Sequence, residues 1–152
     1  MSTFEEILAK DGKLVYKTKG VSMNPMLYQN RDLVVIEVPK GRLKKYDVAL
    51  YRRGKSYVLH RVIEVNDNGT YSIRGDNTYS IETVPEEAVI GVLTAFVREG
   101  RQIQATDEDY RRYVRLWCAA YPARSLYVHS KWRLKSAVKR IIGWNKDSGG
   151  KN

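Results

Sequence analysis

The amino-acid sequence predicts a mainly β domain that opens with one short helix and is followed by a basic helical extension. Three observations carry that prediction. Between residues 14 and 105, short runs of β-branched and aromatic residues alternate with turn-forming residues. At residue 106 the pattern changes to apolar side chains at helical spacing. The charge divides near the same place: residues 1–97 hold 14 Lys and Arg against 12 Asp and Glu, whereas residues 98–152 hold 13 against 5. The expected organisation is a β domain over residues 1–105 and a basic extension over residues 106–152.

Taken in order, Ser2-Thr3-Phe4-Glu5-Glu6 offers overlapping capping boxes, which predict a helix over Phe4–Lys10 ending near Gly12. Strands are expected over Leu14–Lys19, Leu33–Val38, Val48–Arg52, Tyr57–Val65, Thr70–Arg74, Val89–Arg98 and Arg101–Ala105. Asn30-Arg31-Asp32, Pro39-Lys40-Gly41, Arg53-Gly54-Lys55 and Asn66-Asp67-Asn68-Gly69 separate them with turn chemistry, and Asn68-Gly69 between two β-branched runs is a strong hairpin signal. Many short strands at such spacing predict a coiled sheet or a barrel-like domain. Thr106 with Asp109 then caps a helix whose Tyr110, Tyr113, Val114, Trp117 and Tyr121 recur at helical spacing until Pro122. A second helical pattern puts Leu134, Val138, Ile141 and Ile142 on one face and Lys131, Arg133, Lys135, Lys139 and Arg140 mostly elsewhere. It is expected to end at Gly143 or in the polar tail Asp147–Asn152.

Composition narrows the function classes. A chain of 152 residues with 43% hydrophobic and 29% charged side chains can bury a core. Its longest uncharged apolar run, Ala88–Val97, has ten residues. A membrane-spanning helix needs about 20. Met1–Lys10 carries two glutamates and no apolar stretch of signal-peptide length, so a mature N-terminus is expected. A cytoplasmic or peripheral membrane location follows as the expectation. One cysteine, Cys118, excludes an internal disulfide and a multi-cysteine zinc site. The net charge of +10 sits mainly in the last third and has no recognition motif beside it, so nucleic-acid binding is not expected.

Three segments can carry chemistry. In Lys19-Gly20-Val21-Ser22-Met23-Asn24-Pro25-Met26-Leu27 a strand runs into a glycine and a serine, and Pro25 is suited to open a helix. Backbone N–H groups at such a turn can receive an oxyanion beside Ser22. His60 sits in the middle of the strand Ser56–Val65, and histidine is the side chain whose ordinary pKa suits a general base near neutral pH. The other histidine, His129, falls in the basic extension on an expected solvated face. Finally, Arg74-Gly75-Asp76-Asn77 places a carboxylate at a strand end, where it can orient an imidazole. Each segment taken singly reads more readily as an ordinary turn or a strand histidine than as a catalytic element.

Together, Gly20-Val21-Ser22-Met23-Asn24-Pro25, His60-Arg61-Val62 and Arg74-Gly75-Asp76-Asn77 resemble the ordered boxes of type I signal peptidases and, more loosely, the autoprotease domains of SOS-type repressors. Asn30-Arg31-Asp32-Leu33-Val34-Val35 is similar to the family's Gly-Asp-hydrophobic strand, with Arg31 in the glycine place. Tyr46-Asp47-Val48-Ala49 is similar to its Gly-Asp-Ile-Val strand, again without the glycine. Glu87-Ala88-Val89-Ile90-Gly91-Val92 resembles the closing strand. The likeness covers about residues 14–100. The commonest bacterial enzymes place a lysine before the Arg-Val pair. Here His60 stands there, and Lys55 falls near the strand start in the turn, so the chain resembles the archaeal and endoplasmic-reticulum type.

The resemblance implies Ser22 as nucleophile and His60 as base. It leaves the acid between Asp76, which matches the Gly-Asp-Asn box, and Glu82, where the His-type members carry a further acidic residue about six positions on; Asp76 is preferred. It implies a signal-peptidase-like peptidase domain over residues 1–105 that cleaves signal- or leader-like segments of a peptide or preprotein, with no metal or organic cofactor. The family's membrane anchor has no counterpart among the 21 residues before Ser22. A self-cleaving repressor is not expected, because no DNA-binding helices and no Ala-Gly or Cys-Gly pair precede Ser22. The alternative from a different class is a catalytically weak β domain that binds proteins or anionic membranes peripherally. Its basic helices attract headgroups, and Trp117, Trp132 and Trp144 suit an interfacial position.

Overall fold

The computed structural model describes residues 3–147, with side chains described through residue 140. Helix α1, Phe4–Asp11, begins at the expected capping box: Glu6 N–H donates to Thr3 Oγ1 at 3.2 Å, and Thr3 N–H to Glu6 Oε2 at 3.0 Å. Among the described residues eight strands follow: β1 Lys13–Lys17, β2 Leu33–Glu37, β3 Val48–Arg53, β4 Ser56–Val65, β5 Thr70–Arg74, β6 Glu82–Pro85, β7 Val89–Arg98 and β8 Arg101–Gln104. Sequence patterning anticipates all of these except β6, whose four residues pair with β5 without an alternating pattern of their own.

Every pairing is antiparallel, in the order β1-β2-β7-β3-β4-β5-β6. The long β7 holds β2 along one edge and β3 and β8 along the other, because Val92 faces both Glu37 and Ala49 and Ala95 faces both Val35 and Gln104. The path is open, ending at β1 and β6, so the expectation of a coiled or barrel-like domain resolves to an open sheet. Each of its faces carries a buried core cluster. Leu8, Leu14, Val48, Leu50, Leu59 and Phe96 belong to one core cluster, and Ala49, Tyr51, Val62, Tyr71 and Ile73 to the other. Consecutive residues of β3 therefore feed opposite cores, which is why Val48-Ala49-Leu50-Tyr51 is buried throughout. Just before β3, Tyr46 has φ +79°, so the turn keeps a glycine-like shape without the glycine.

The chain divides into two compact units, Met1–Val114 and Arg115–Asn152, so the first extends nine residues past the boundary expected at 105. The reason is local. Helix α2, Glu108–Ala119, buries Val114 and sets the Tyr110 ring edge-on to Phe96 at 5.8 Å. In the second unit, α3 is one helix over Tyr121–Asp147, starting ten residues before the expected basic segment at Lys131. Pro122 lies in its first turn, where a missing N–H leaves no helical bond unmade. Arg124 lies over the Trp117 ring at 3.6 Å and donates from Nη2 to Trp117 O at 2.9 Å. Among the described residues no helix is long and apolar enough to cross a membrane.

Candidate active site

Ser22 stands in a tight loop between β1 and β2. Asn24 N–H donates to Val21 O at 3.1 Å and Leu27 N–H to Met23 O at 2.9 Å. Gly20, at φ +86°, gives its N–H to Gln29 Oε1 at 2.9 Å. Residues 22–26 form turns, so Pro25, which follows a cis peptide bond, does not open a helix as its position suggested. The apolar residues around the serine divide between two environments. Met23, Met26 and Leu27 anchor the loop in the core, and Val21 is 54% exposed.

His60 reaches this loop from β4. Alternation along the strand puts His60 and Arg61 on opposite faces. Ala49 lies directly across from His60 in β3, a small residue that leaves room for the ring, and Tyr51 lies diagonally on the same face. The imidazole is buried. On its Nδ1 side, Tyr51 Oη is 3.3 Å away and Glu82 Oε1 is 3.7 Å away. The Nε2 side faces the chain at Gly75: a β-carbon built there would stand 3.1 Å from His60 Nε2 and 2.7 Å from Ser22 O. The absence of a side chain at Gly75 therefore lets the Ser22 loop and the imidazole converge. Burial pulls His60 below its ordinary value of 6.5. Glu82 opposes the shift, Arg53 adds to it, and Asp76 opposes it more weakly. The ring is neutral at neutral pH and able to accept a proton.

Each residue of the Gly75-Asp76-Asn77 segment does a different task. Gly75 permits the close approach. Asn77 holds the Ser22 loop, giving its backbone N–H to Ser22 O at 2.8 Å and Nδ2–H to Val21 O at 3.2 Å. Both Asp76 oxygens are committed to Arg61, at 2.7 Å from Nε and 2.6 Å from Nη2. Arg61 is fully buried and also donates to Tyr46 O at 2.9 Å, to Tyr110 Oη at 3.3 Å and to Met26 Sδ at 2.7 Å. Burial works against its charge, but Asp76 more than offsets this, and the guanidinium stays protonated. It ties the serine loop, the Tyr46 turn and α2 to one point.

The sequence placed Asp76 ahead of Glu82 as the group that orients His60. In the structure the carboxylate on the Nδ1 side is that of Glu82, and the closest polar atom there belongs to Tyr51, which the sequence did not single out. Glu82 is itself held by Arg53 Nη1 at 2.9 Å and by Tyr51 Oη at 3.1 Å. One signal in the sequence was available: Tyr51 lies nine residues from His60 across the Arg53-Gly54-Lys55 turn, on the same face of a β-hairpin.

Ser22 and His60 both line a cavity of about 670 Å³, together with Met23, Leu27, Leu59, Lys17 and Lys19. Among the described residues, no three His, Cys, Asp or Glu side chains come together in a way that could hold a metal ion. No family model matches this sequence, and no curated protein matches it.

Proposed function

We propose that the β unit is a serine endopeptidase of signal-peptidase-like character, acting on signal- or leader-like segments of peptides or preproteins. The observation that supports it best is the polarity of the His60 ring, whose Nε2 side faces the Ser22 loop at Gly75 while its Nδ1 side is backed by Tyr51 and Glu82. In this reading Ser22 Oγ attacks the substrate carbonyl carbon, and its proton passes to His60 Nε2. The tetrahedral oxyanion is held by backbone amides. Those of Gly20 and Asn24 are engaged within the loop, so in this reading the task falls to other amides beside Ser22. The C–N bond then breaks, His60 returns the proton to the leaving amine, and water hydrolyses the acyl-enzyme with His60 again as base. Phosphonylation by a fluorophosphonate tests the reading. Wild type is labelled at Ser22 and cleaves leader-type peptides, whereas Ser22→Ala does neither and keeps the fold. Cleavage retained in Ser22→Ala refutes the nucleophile.

A second reading concerns the helical segment, and one observation favours it. Residues 121–140 carry six Lys or Arg and no Asp or Glu, while Leu126 and Trp132 are each 73% exposed. We infer peripheral attachment to anionic membranes. Each basic residue near the surface contributes roughly 1 kcal/mol, and the attraction weakens as salt shortens the Debye length from about 10 Å at 0.1 M to about 3 Å at 1 M. The protein should sediment with phosphatidylserine-containing vesicles at low salt and be released at 1 M. Protein that stays in the low-salt supernatant refutes attachment.

A further inference from the structure

We propose that the Tyr51 hydroxyl is the positioning group of the site, accepting the Nδ1 proton of His60 and passing the hold to Glu82 through its own O–H. The inference rests on Ser22 and His60 being nucleophile and base. At 3.7 Å from Nδ1, the Glu82 carboxylate lies beyond hydrogen-bond length, whereas Tyr51 Oη at 3.3 Å and Glu82 Oε2 at 3.1 Å from that hydroxyl form a continuous chain. Proton counting sets its direction. A phenol has one proton and a carboxylate has none to give, so the Tyr51 O–H donates to Glu82, the stronger acceptor. The phenolic oxygen then has lone pairs for Nδ1–H. That tautomer leaves Nε2 unprotonated, and Nε2 is the nitrogen on the Ser22 side. The opposite arrangement, with Tyr51 donating to Nδ1, would put a proton on Nε2 and leave His60 unable to act as base.

The neighbours are arranged to hold this direction. Arg53 Nη1 donates to Glu82 Oε1 at 2.9 Å and fixes the carboxyl group in place. The Tyr51 ring is buried in the core cluster with Ala49, Val62 and Ile73, so its hydroxyl is aimed by packing. Burial and the Glu82 charge both raise the Tyr51 pKa, so the phenol keeps its proton across the working range.

Tyr51→Phe removes one oxygen and keeps the ring. Two readouts test it: the protonation pattern of the His60 ring nitrogens by 15N NMR at neutral pH, and the rate of phosphonylation by a fluorophosphonate. In that reaction the Ser22 Oγ–P bond forms, P–F breaks, fluoride leaves and the Ser22 proton goes to His60. Wild type should show Nδ1 protonated and Nε2 bare. Tyr51→Phe should shift the ring toward Nε2–H and slow the bond-forming step about tenfold or more, within the range that general-base catalysis supplies, with reagent affinity unchanged. The charged and titratable groups that act on the ring are Glu82, Arg53 and Tyr51 on its Nδ1 side and Asp76 through its charge. Loss of the acceptor removes a bond that the imidazolium keeps and the Nε2–H tautomer does not need, so the acid limb of labelling should move to lower pH. A wild-type ring protonated at Nε2 overturns the proposal, as does a Tyr51→Phe variant whose tautomer or labelling rate is unchanged. The wild-type spectrum decides this even if the variant fails to fold. If wild type is not labelled at all, the peptidase reading fails, and the tautomer alone judges Tyr51.

Discussion

Replacing Asp76 by Asn should damage the fold more than the chemistry. Asp76 is 5% exposed as a residue and Arg61 is 0% exposed, and the two share bonds of 2.6 and 2.7 Å. Removing one partner of a buried ion pair strands the other charge and costs about 3–5 kcal/mol. Asparagine keeps one acceptor oxygen for the guanidinium, which sets the expectation near the lower end, about 3 kcal/mol. For a unit of this size each kcal/mol corresponds to roughly 4 °C in Tm, or about 12 °C in total. The three tryptophans, Trp117, Trp132 and Trp144, all lie beyond Val114, so their fluorescence would report the wrong unit. A urea titration followed by the amide NMR signals of β3 and β4 reads the right one. The urea midpoint should fall at unchanged slope. Glu82→Gln should behave in the opposite way. Its ion pair with Arg53 is largely exposed and contributes under about 1 kcal/mol, while its place behind Tyr51 makes phosphonylation slower. A wild-type urea midpoint for Asp76→Asn refutes the reasoning. Slower labelling by fully folded Asp76→Asn than by Glu82→Gln would return the orienting role to Asp76.

Gly75→Ala should lose labelling and stability together, because the new β-carbon would lie 2.7 Å from the Ser22 backbone oxygen, which cannot swing aside as a side chain can; unaltered labelling would refute the convergence at Gly75. For His60, burial lowers the folded-state pKa below 6.5, so the base stays active as pH falls through 6.5 and activity is lost only at lower pH; an acid limb of kcat/KM above 6.5 would contradict the burial argument. Asp32 shows the carboxylate case. Burial raises its pKa, but hydrogen bonds from Arg31 and Arg98 and from the Tyr28 N–H outweigh this and lower it from 3.8 to about 2. The folded form thus binds its proton less readily than the unfolded chain, and Asp32 contributes about 2 kcal/mol above pH 4 that disappears as pH falls to about 2. The stability gap between wild type and Asp32→Asn should narrow over that interval, and a constant gap would refute the linkage.

Much of the architecture was legible in the sequence because its causes are local. The Thr3 capping box starts α1, turn-forming residues at 66–69 close the β4–β5 hairpin, and the switch from alternating to helical periodicity near residue 106 separates strands from helices. Ser22, His60, Asp76 and Glu82 were also visible, as residue types at ordered spacings. Hidden from the sequence were the elements whose causes lie across the sheet. Strand β6 exists because β5 offers it an edge, and the first unit extends to Val114 because Tyr110 meets Phe96 and Arg61. The carboxylates were the hardest to assign. Which charge Asp76 would meet depends on strand alternation, which turns Arg61 to one face of β4 and His60 to the other. A buried guanidinium must find a counter-charge, and Asp76 supplies it at 2.6 and 2.7 Å. Sequence chemistry alone therefore named the groups able to act as nucleophile, base and acid. Burial and strand register decided which carboxylate stabilises the fold and which, with the Tyr51 hydroxyl before it, faces the histidine.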